Sequence, residues 1–273
     1  MTAAIPPRVP ALMYHEIADT SETPSRLAVS PAVFADQLAY LHDAGFTAIT
    51  AGELSAILSD DAGKLPDRPV VLTFDDGYGD FYSHGLPLLK QNGFTATIFM
   101  TTAWIGHDGE KRMLNWRELA EVEQAGIEIG AHTVKHPQLD RLPEKLAREE
   151  LRVSKIQLEE HLGLEIPGLA YPFGYSNAKI RQMARELGYV YGYAVDNALT
   201  TSAADKFTLP RLTVRRTTTM DEFRKMVDGQ DTLTLRRDRF LTRGYSVVRR
   251  AKSAMGNARQ PEWYYKAAEA QQL

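Results

Sequence analysis

VLTFDDGYGD, residues 71–80, sets an apolar run against two adjacent acids. Val70, Val71, Leu72 and Phe74 read as a buried strand over about 69–74, closed by Asp75, Asp76 and Gly77. Two carboxylates side by side at a strand end repel each other and lose hydration, so some third group must offset the cost. The surroundings of this strand set the fold. Helical segments end in glycine, and an apolar or aromatic residue then opens a β-like run: Ala44-Gly45-Phe46, Asn92-Gly93-Phe94, Ala125-Gly126-Ile127 and Leu187-Gly188-Tyr189. Glycine suits the left-handed position just past a helix end, so each is a helix-to-strand junction.

Outward from residue 71, strands are expected near 11–15, 46–49, 94–101, 127–131, 168–172, 189–195 and 209–214. Helices are expected near 31–44, 51–58, 80–91, 116–125, 144–162, 177–187 and 220–228, the first capped by Ser30 with Pro31 in its opening turn. Alternating β and α elements imply a parallel sheet, and seven or eight strands in one domain favour an α/β fold of the distorted (β/α)7-8 barrel type. The expected divisions are an N-terminal arm at 1–10, the barrel at 11–230 and a basic, helical C-terminal extension at 231–273.

Bulk properties narrow the function. The chain has 273 residues, 44% hydrophobic and 25% charged, as in soluble globular proteins. A net charge of −3 argues against nucleic acid as a partner. The lack of cysteine excludes disulfides, thiol nucleophiles and cysteine-held zinc. Three prolines interrupt the first ten residues, where a secretory signal would need an apolar stretch of about 7–15. No run approaches the roughly 18 apolar residues of a membrane span, so a cytoplasmic location is expected. Residues 236–273 carry nine Lys/Arg and three Asp/Glu, a net +6 that leaves −9 on the rest. That tail reads as a solvated helix against the barrel, or as a weak contact with anionic lipid or a membrane-bound partner.

In a parallel α/β fold, polar groups at the carboxyl ends of strands share one mouth. Here those groups are His15, Asp75, Asp76, His132 and the Tyr171-Pro172-Phe173 turn. His132 and His136 have the i, i+4 spacing of helical zinc pairs, but no Glu follows the first and Pro137 follows the second. They therefore lie on a strand-end loop. With Asp76 they make a two-histidine, one-carboxylate set suited to a divalent cation, Zn2+ first, with Co2+, Ni2+ and Mn2+ compatible. Strand alternation gives the two acids different tasks. One acid ligates the cation, and the other takes a proton from water held there.

TFDDG at 73–77 with HTVKH at 132–136 resembles the polysaccharide deacetylases of carbohydrate esterase family 4, which share the NodB-homology domain. The likeness covers roughly 10–228, and LMYHEI at 12–17 and LAYPFGY at 169–175 are most similar to the poly-N-acetylglucosamine deacetylase branch. The resemblance implies metal-dependent hydrolysis of an N-acetyl group on an amino sugar, with release of acetate. It makes Asp75 the general base, and Asp76, His132 and His136 the metal ligands. It also puts Pro172 and Phe173 in the motif whose backbone N–H at Phe173 helps form an oxyanion hole, and Tyr171, Phe173 and Tyr175 along the sugar groove. Two positions depart from the family pattern. Ala170 stands where an arginine usually holds the base, and Leu209-Pro210-Arg211 lacks the histidine that usually serves as general acid. His15 is the expected acid and Arg211 the expected support for Asp75. A catalytically silent glycan-binding module and a deacylase of a small amide are the alternatives.

Glu149 and Glu150, on a helix rich in i, i+4 charge pairs, read as surface. His42 reads as exposed, and His161 as a helix-end partner.

Overall fold

The computed structural model describes residues 8–19, 21, 25–59, 64–230 and 235–237. The expected tail lies almost wholly outside these residues, as does most of the expected N-terminal arm.

Seven parallel strands curl into one sheet, in the order Tyr191–Tyr193, Gly168–Ala170, Glu128–Ala131, Thr97–Met100, Pro69–Asp76, Ala11–Tyr14, Leu212–Thr213. An eighth, Thr47–Ile49, pairs with the start of Pro69–Asp76. A parallel bridge between Tyr193 and Leu209 joins the two ends. The architecture is the distorted (β/α) barrel expected from the alternation of elements. The closing strands are shorter than the sequence suggests. Pro210 has no N–H to offer a neighbouring strand, so the segment 209–214 is bonded on either side of it but keeps only Leu212–Thr213 as a strand.

Among the described residues, seven α-helices flank the sheet: α1 (Pro31–Asp43), α2 (Ala51–Ile57), α3 (Leu86–Gln91), α4 (Trp116–Gln124), α5 (Glu144–Leu162), α6 (Ala178–Glu186) and α7 (Met220–Val227). The Ser30 hydroxyl accepts the Val33 N–H, and Pro31 opens α1, as its sequence predicts. Gly45, Gly93, Gly126 and Gly188 at the helix-to-strand junctions all take positive φ, between 66° and 85°. The helix expected over 80–91 opens instead with a π turn, Phe81–Gly85, before α3. Pro87 cannot donate to the Ser83 carbonyl one turn back, so the ladder widens there.

Side-chain alternation sorts the core into two layers. Val70, Leu72 and Phe74 face the helices, whereas Val71 faces the barrel interior with Ala11, Phe99, Ala170, Tyr193 and Leu209. Thr73 and Asp75 continue the inward set.

Candidate active site

Asp75 ends the inward row of strand Pro69–Asp76 and is 3% exposed. Arg211 lies across the barrel interior, fully buried, in step with inward-facing Leu209 and Thr213. Its Nη1 donates to Asp75 Oδ1 at 2.6 Å and its Nη2 to Oδ2 at 2.8 Å. Further bonds to Thr73 Oγ1 (3.2 Å) and the Ala194 carbonyl (3.3 Å) fix the guanidinium. Burial alone would raise the Asp75 carboxyl, but the charge and hydrogen bonds of the Arg211 guanidinium outweigh it and hold the group well below the usual carboxylate range. Asp75 is thus paired with an arginine that lies 136 residues further along the chain.

Alternation should aim Asp76 away from Asp75. Instead Asp76 takes a left-handed conformation (φ 76°) and Gly77 follows at φ 90°, so the second carboxylate turns back to the same mouth. Asp76 Oδ1 is buried and has no hydrogen-bond partner among the described residues. The Nε2 atoms of His132 and His136 each stand 3.5 Å from it. His132 Nδ1 lies 2.7 Å from the Ala170 carbonyl, which can only accept. The proton is therefore on Nδ1, and the Nε2 lone pair faces Asp76. Burial lowers both imidazoles to about 4, so they are neutral at ordinary pH. Burial also raises the Asp76 carboxyl. An orphaned carboxylate oxygen facing two neutral imidazoles fits a divalent cation, and these three side chains bring ligand atoms within 4.8 Å of one another.

The loop that carries the histidines is strained. Thr133 (φ 69°) and His136 (φ 55°) are left-handed, as is Phe173 (φ 59°), whose ring packs against that of His136. Non-glycine residues in this region gather where the surrounding structure over-determines them, commonly at functional sites. Trp104 and Phe173 flank the His136 ring, at 5.5 and 4.6 Å between centroids.

These groups open onto a cavity of about 400 Å³ that also holds His15, Tyr175 and Thr213. His15 Nδ1 is buried without a partner among the described residues, and its charge, when present, favours ionisation of both Asp75 and Asp76. Phe173, 49% exposed, and Tyr175 form a stacked pair at the rim.

Tyr171 corrects the expectation that it lines the groove. It is fully buried between sheet and helices, one step out of phase with inward-facing Ala170. Pro172 is buried too and forms the base of the turn rather than a wall. Glu150 is the second correction: it is 7% exposed, and its Oε2 accepts the Val134 and Lys135 N–H groups, both at 2.9 Å. The buried stripe of α5, Ala147, Glu150, Leu151, Ser154 and Leu158, carries the i, i+3, i+4 spacing that could have revealed it. His42 is exposed, as expected. His161 Nδ1 lies 2.8 Å from the Gln157 carbonyl in the last turns of α5, and the ring stacks on Trp116.

A sequence model of the polysaccharide deacetylase family matches residues 62–192. YxkH of Bacillus subtilis (strain 168), itself described as a polysaccharide deacetylase, is 32% identical over 209 residues, spanning 77% of this chain and 72% of the relative. The chain belongs to the polysaccharide deacetylase family. Another member, the poly-beta-1,6-N-acetyl-D-glucosamine N-deacetylase of Staphylococcus aureus (strain MSSA476), is 27% identical over 203 residues, 68% of each chain. Among solved structures, the Streptococcus pyogenes deacetylase PplD in complex with acetate superposes with a TM-score of 0.75 at 26% identity, over 84% of this chain and 100% of that one. This polysaccharide deacetylase is therefore a hydrolase with the barrel of its family. No helix among the described residues is long and apolar enough to cross a membrane.

Proposed function

We propose that the protein hydrolyses the N-acetyl amide of an amino sugar in a glycan or glycan precursor, releasing acetate, with a divalent cation held by Asp76, His132 and His136. The observation that carries this reading is the pairing of two unlike acids in one cleft. Asp75 is ionised and locked by Arg211, whereas Asp76 has an oxygen facing two neutral imidazoles. A cation bound there supplies Lewis-acid activation of water and of the acetyl carbonyl. Asp75 takes the proton of the attacking water. The backbone N–H of Phe173 donates to the oxygen that gains charge as the carbonyl is attacked. His15 gives a proton to the departing amine. The Phe173–Tyr175 pair offers the sugar ring an apolar face at the rim.

The curated S. aureus relative is named for β-1,6-linked poly-N-acetylglucosamine, and that polymer is the first substrate to try. Zinc is the first metal. The test is acetate release from β-1,6- and β-1,4-linked N-acetylglucosamine oligomers, from monomeric N-acetylglucosamine and from simple acetamides, before and after chelation. Chelator-sensitive release from an oligomer is expected. Release from the simple amides alone would assign the site to small-amide deacylation. Binding of oligomers with no acetate from any of these would favour a silent glycan-binding module.

A further inference from the structure

His132 and His136 are held by different means. His132 follows directly on strand Glu128–Ala131, and its ring is tied to the next strand through the Ala170 carbonyl. His136 stands four residues out on a loop whose backbone is left-handed at both Thr133 and His136. Such a loop relaxes unless bonds from outside hold it. Thr102 N–H reaches the Thr133 carbonyl at 3.1 Å, and Ala103 N–H reaches the Val134 carbonyl at 2.9 Å. The Thr133 hydroxyl accepts the His136 N–H at 3.0 Å. The two N–H groups at the crest of the loop, on Val134 and Lys135, converge on one oxygen of Glu150.

We infer that Glu150 is a positioning residue. Its buried carboxylate, presented by α5, keeps the 133–136 loop in the shape that brings His136 Nε2 to Asp76, and so sets the affinity of the cation site. The inference rests on the metal reading above and adds a residue on the next helix, 15 positions past Lys135 and outside the motifs. A charged acceptor shared by two consecutive N–H groups is a strong anchor for a tight backbone turn. Glu150 itself is steadied within α5, where the Ser154 hydroxyl donates to its carbonyl at 2.8 Å. Without the side chain, the two N–H groups must find water. The loop is then free to leave its left-handed conformation, and His136 moves with it.

The test is Co2+ uptake by the full-length, metal-free protein, read from visible d–d absorption, for wild type, E150A, E150Q and E150D, with circular dichroism to report folding. Loss of an outer partner of a metal ligand typically weakens metal binding about 10–100-fold, and that loss is expected for E150A. E150Q can place its amide oxygen where Oε2 stands and accept both N–H groups. It is expected to stay within about threefold of wild type. E150D keeps the charge but withdraws it by one methylene, so it should bind Co2+ more weakly than E150Q. If E150A fails to fold, the order of E150Q and E150D decides. E150A within about twofold of wild type, or E150D tighter than E150Q, would overturn the positioning role. Wild-type protein that takes up no Co2+ would instead refute the cation site, and this inference with it.

Discussion

At the scale of single residues, the site turns on an asymmetry between neighbours. The negative charge of Asp75 is matched by a buried guanidinium with two good hydrogen bonds, while the Asp76 Oδ1 faces two neutral imidazoles and has no hydrogen-bond partner among the described residues. Removing one member of a buried ion pair strands the other, typically at a cost of about 3–5 kcal/mol. R211M should therefore lose roughly that much stability in urea unfolding, and the double variant D75N/R211M should recover most of it. A loss under about 1 kcal/mol in R211M would show that the pair contributes little. The histidines give a pH signature. Their folded-state pKa values lie near 4, below the ordinary 6.5, so the unfolded chain takes up protons first as pH falls. Their contribution to stability is full above about pH 6.5 and is lost on descent towards 4. Asp75 adds its own loss only below the ordinary carboxylate range. Urea unfolding of the metal-free protein should show a steeper decline from pH 6.5 to 4 in wild type than in H132Q/H136Q. Equal slopes would contradict the burial of neutral imidazoles. Sequence alone exposes the acid pair and the histidines because each motif is local. Arg211 is harder to find, because its contact with Asp75 spans 136 residues and depends on strand parity. The same parity, inward at Ala170 and outward at Tyr171, is what buries Tyr171.

Elements carry the second layer of explanation. Parallel strands place one end of the sheet at the site and leave the other for structural bonds. At that other end, Glu128 accepts the Gly52 N–H at the start of α2 (3.0 Å), the Thr97 hydroxyl (2.7 Å) and the Tyr191 hydroxyl (2.9 Å). One carboxylate thus links the start of α2 to the strands Thr97–Met100 and Tyr191–Tyr193, and burial raises its pKa. E128A would leave those donors unpaired, at a cost of about 1–3 kcal/mol each where water cannot reach them. Urea unfolding should report a loss of that order, with acetate turnover unchanged, because Glu128 is at the opposite end from Asp76. A matching fall in turnover in the folded variant would show that the two ends are coupled. The long charged helix α5 shows where reading by element stops. Its charge pairs are visible in sequence, and Glu149 does pair with Arg152 at the surface. One helical step further, Glu150 faces inward to a loop that the sequence gives no reason to place there.

For the whole molecule, the order of strands explains why one mouth collects chemistry from residue 15 to residue 213. Asp75, Asp76, His132 and His15 all follow or end parallel strands, and the curl of the sheet turns those ends towards one another. The alternation of helix and strand makes that direction legible in the sequence. The narrow closure at Leu209 is not, because Pro210 interrupts the strand pattern where the barrel completes itself. The central claim is a division of labour between two adjacent acids on this scaffold. It is tested most directly by measuring bound zinc and acetate release together, on an N-acetylglucosamine oligomer, for wild type, D75N and D76N. D75N is predicted to keep its zinc and lose about 10²–10⁴ in turnover, and D76N to lose both zinc and turnover. Wild-type turnover in D75N, or full zinc content in D76N, would contradict the account.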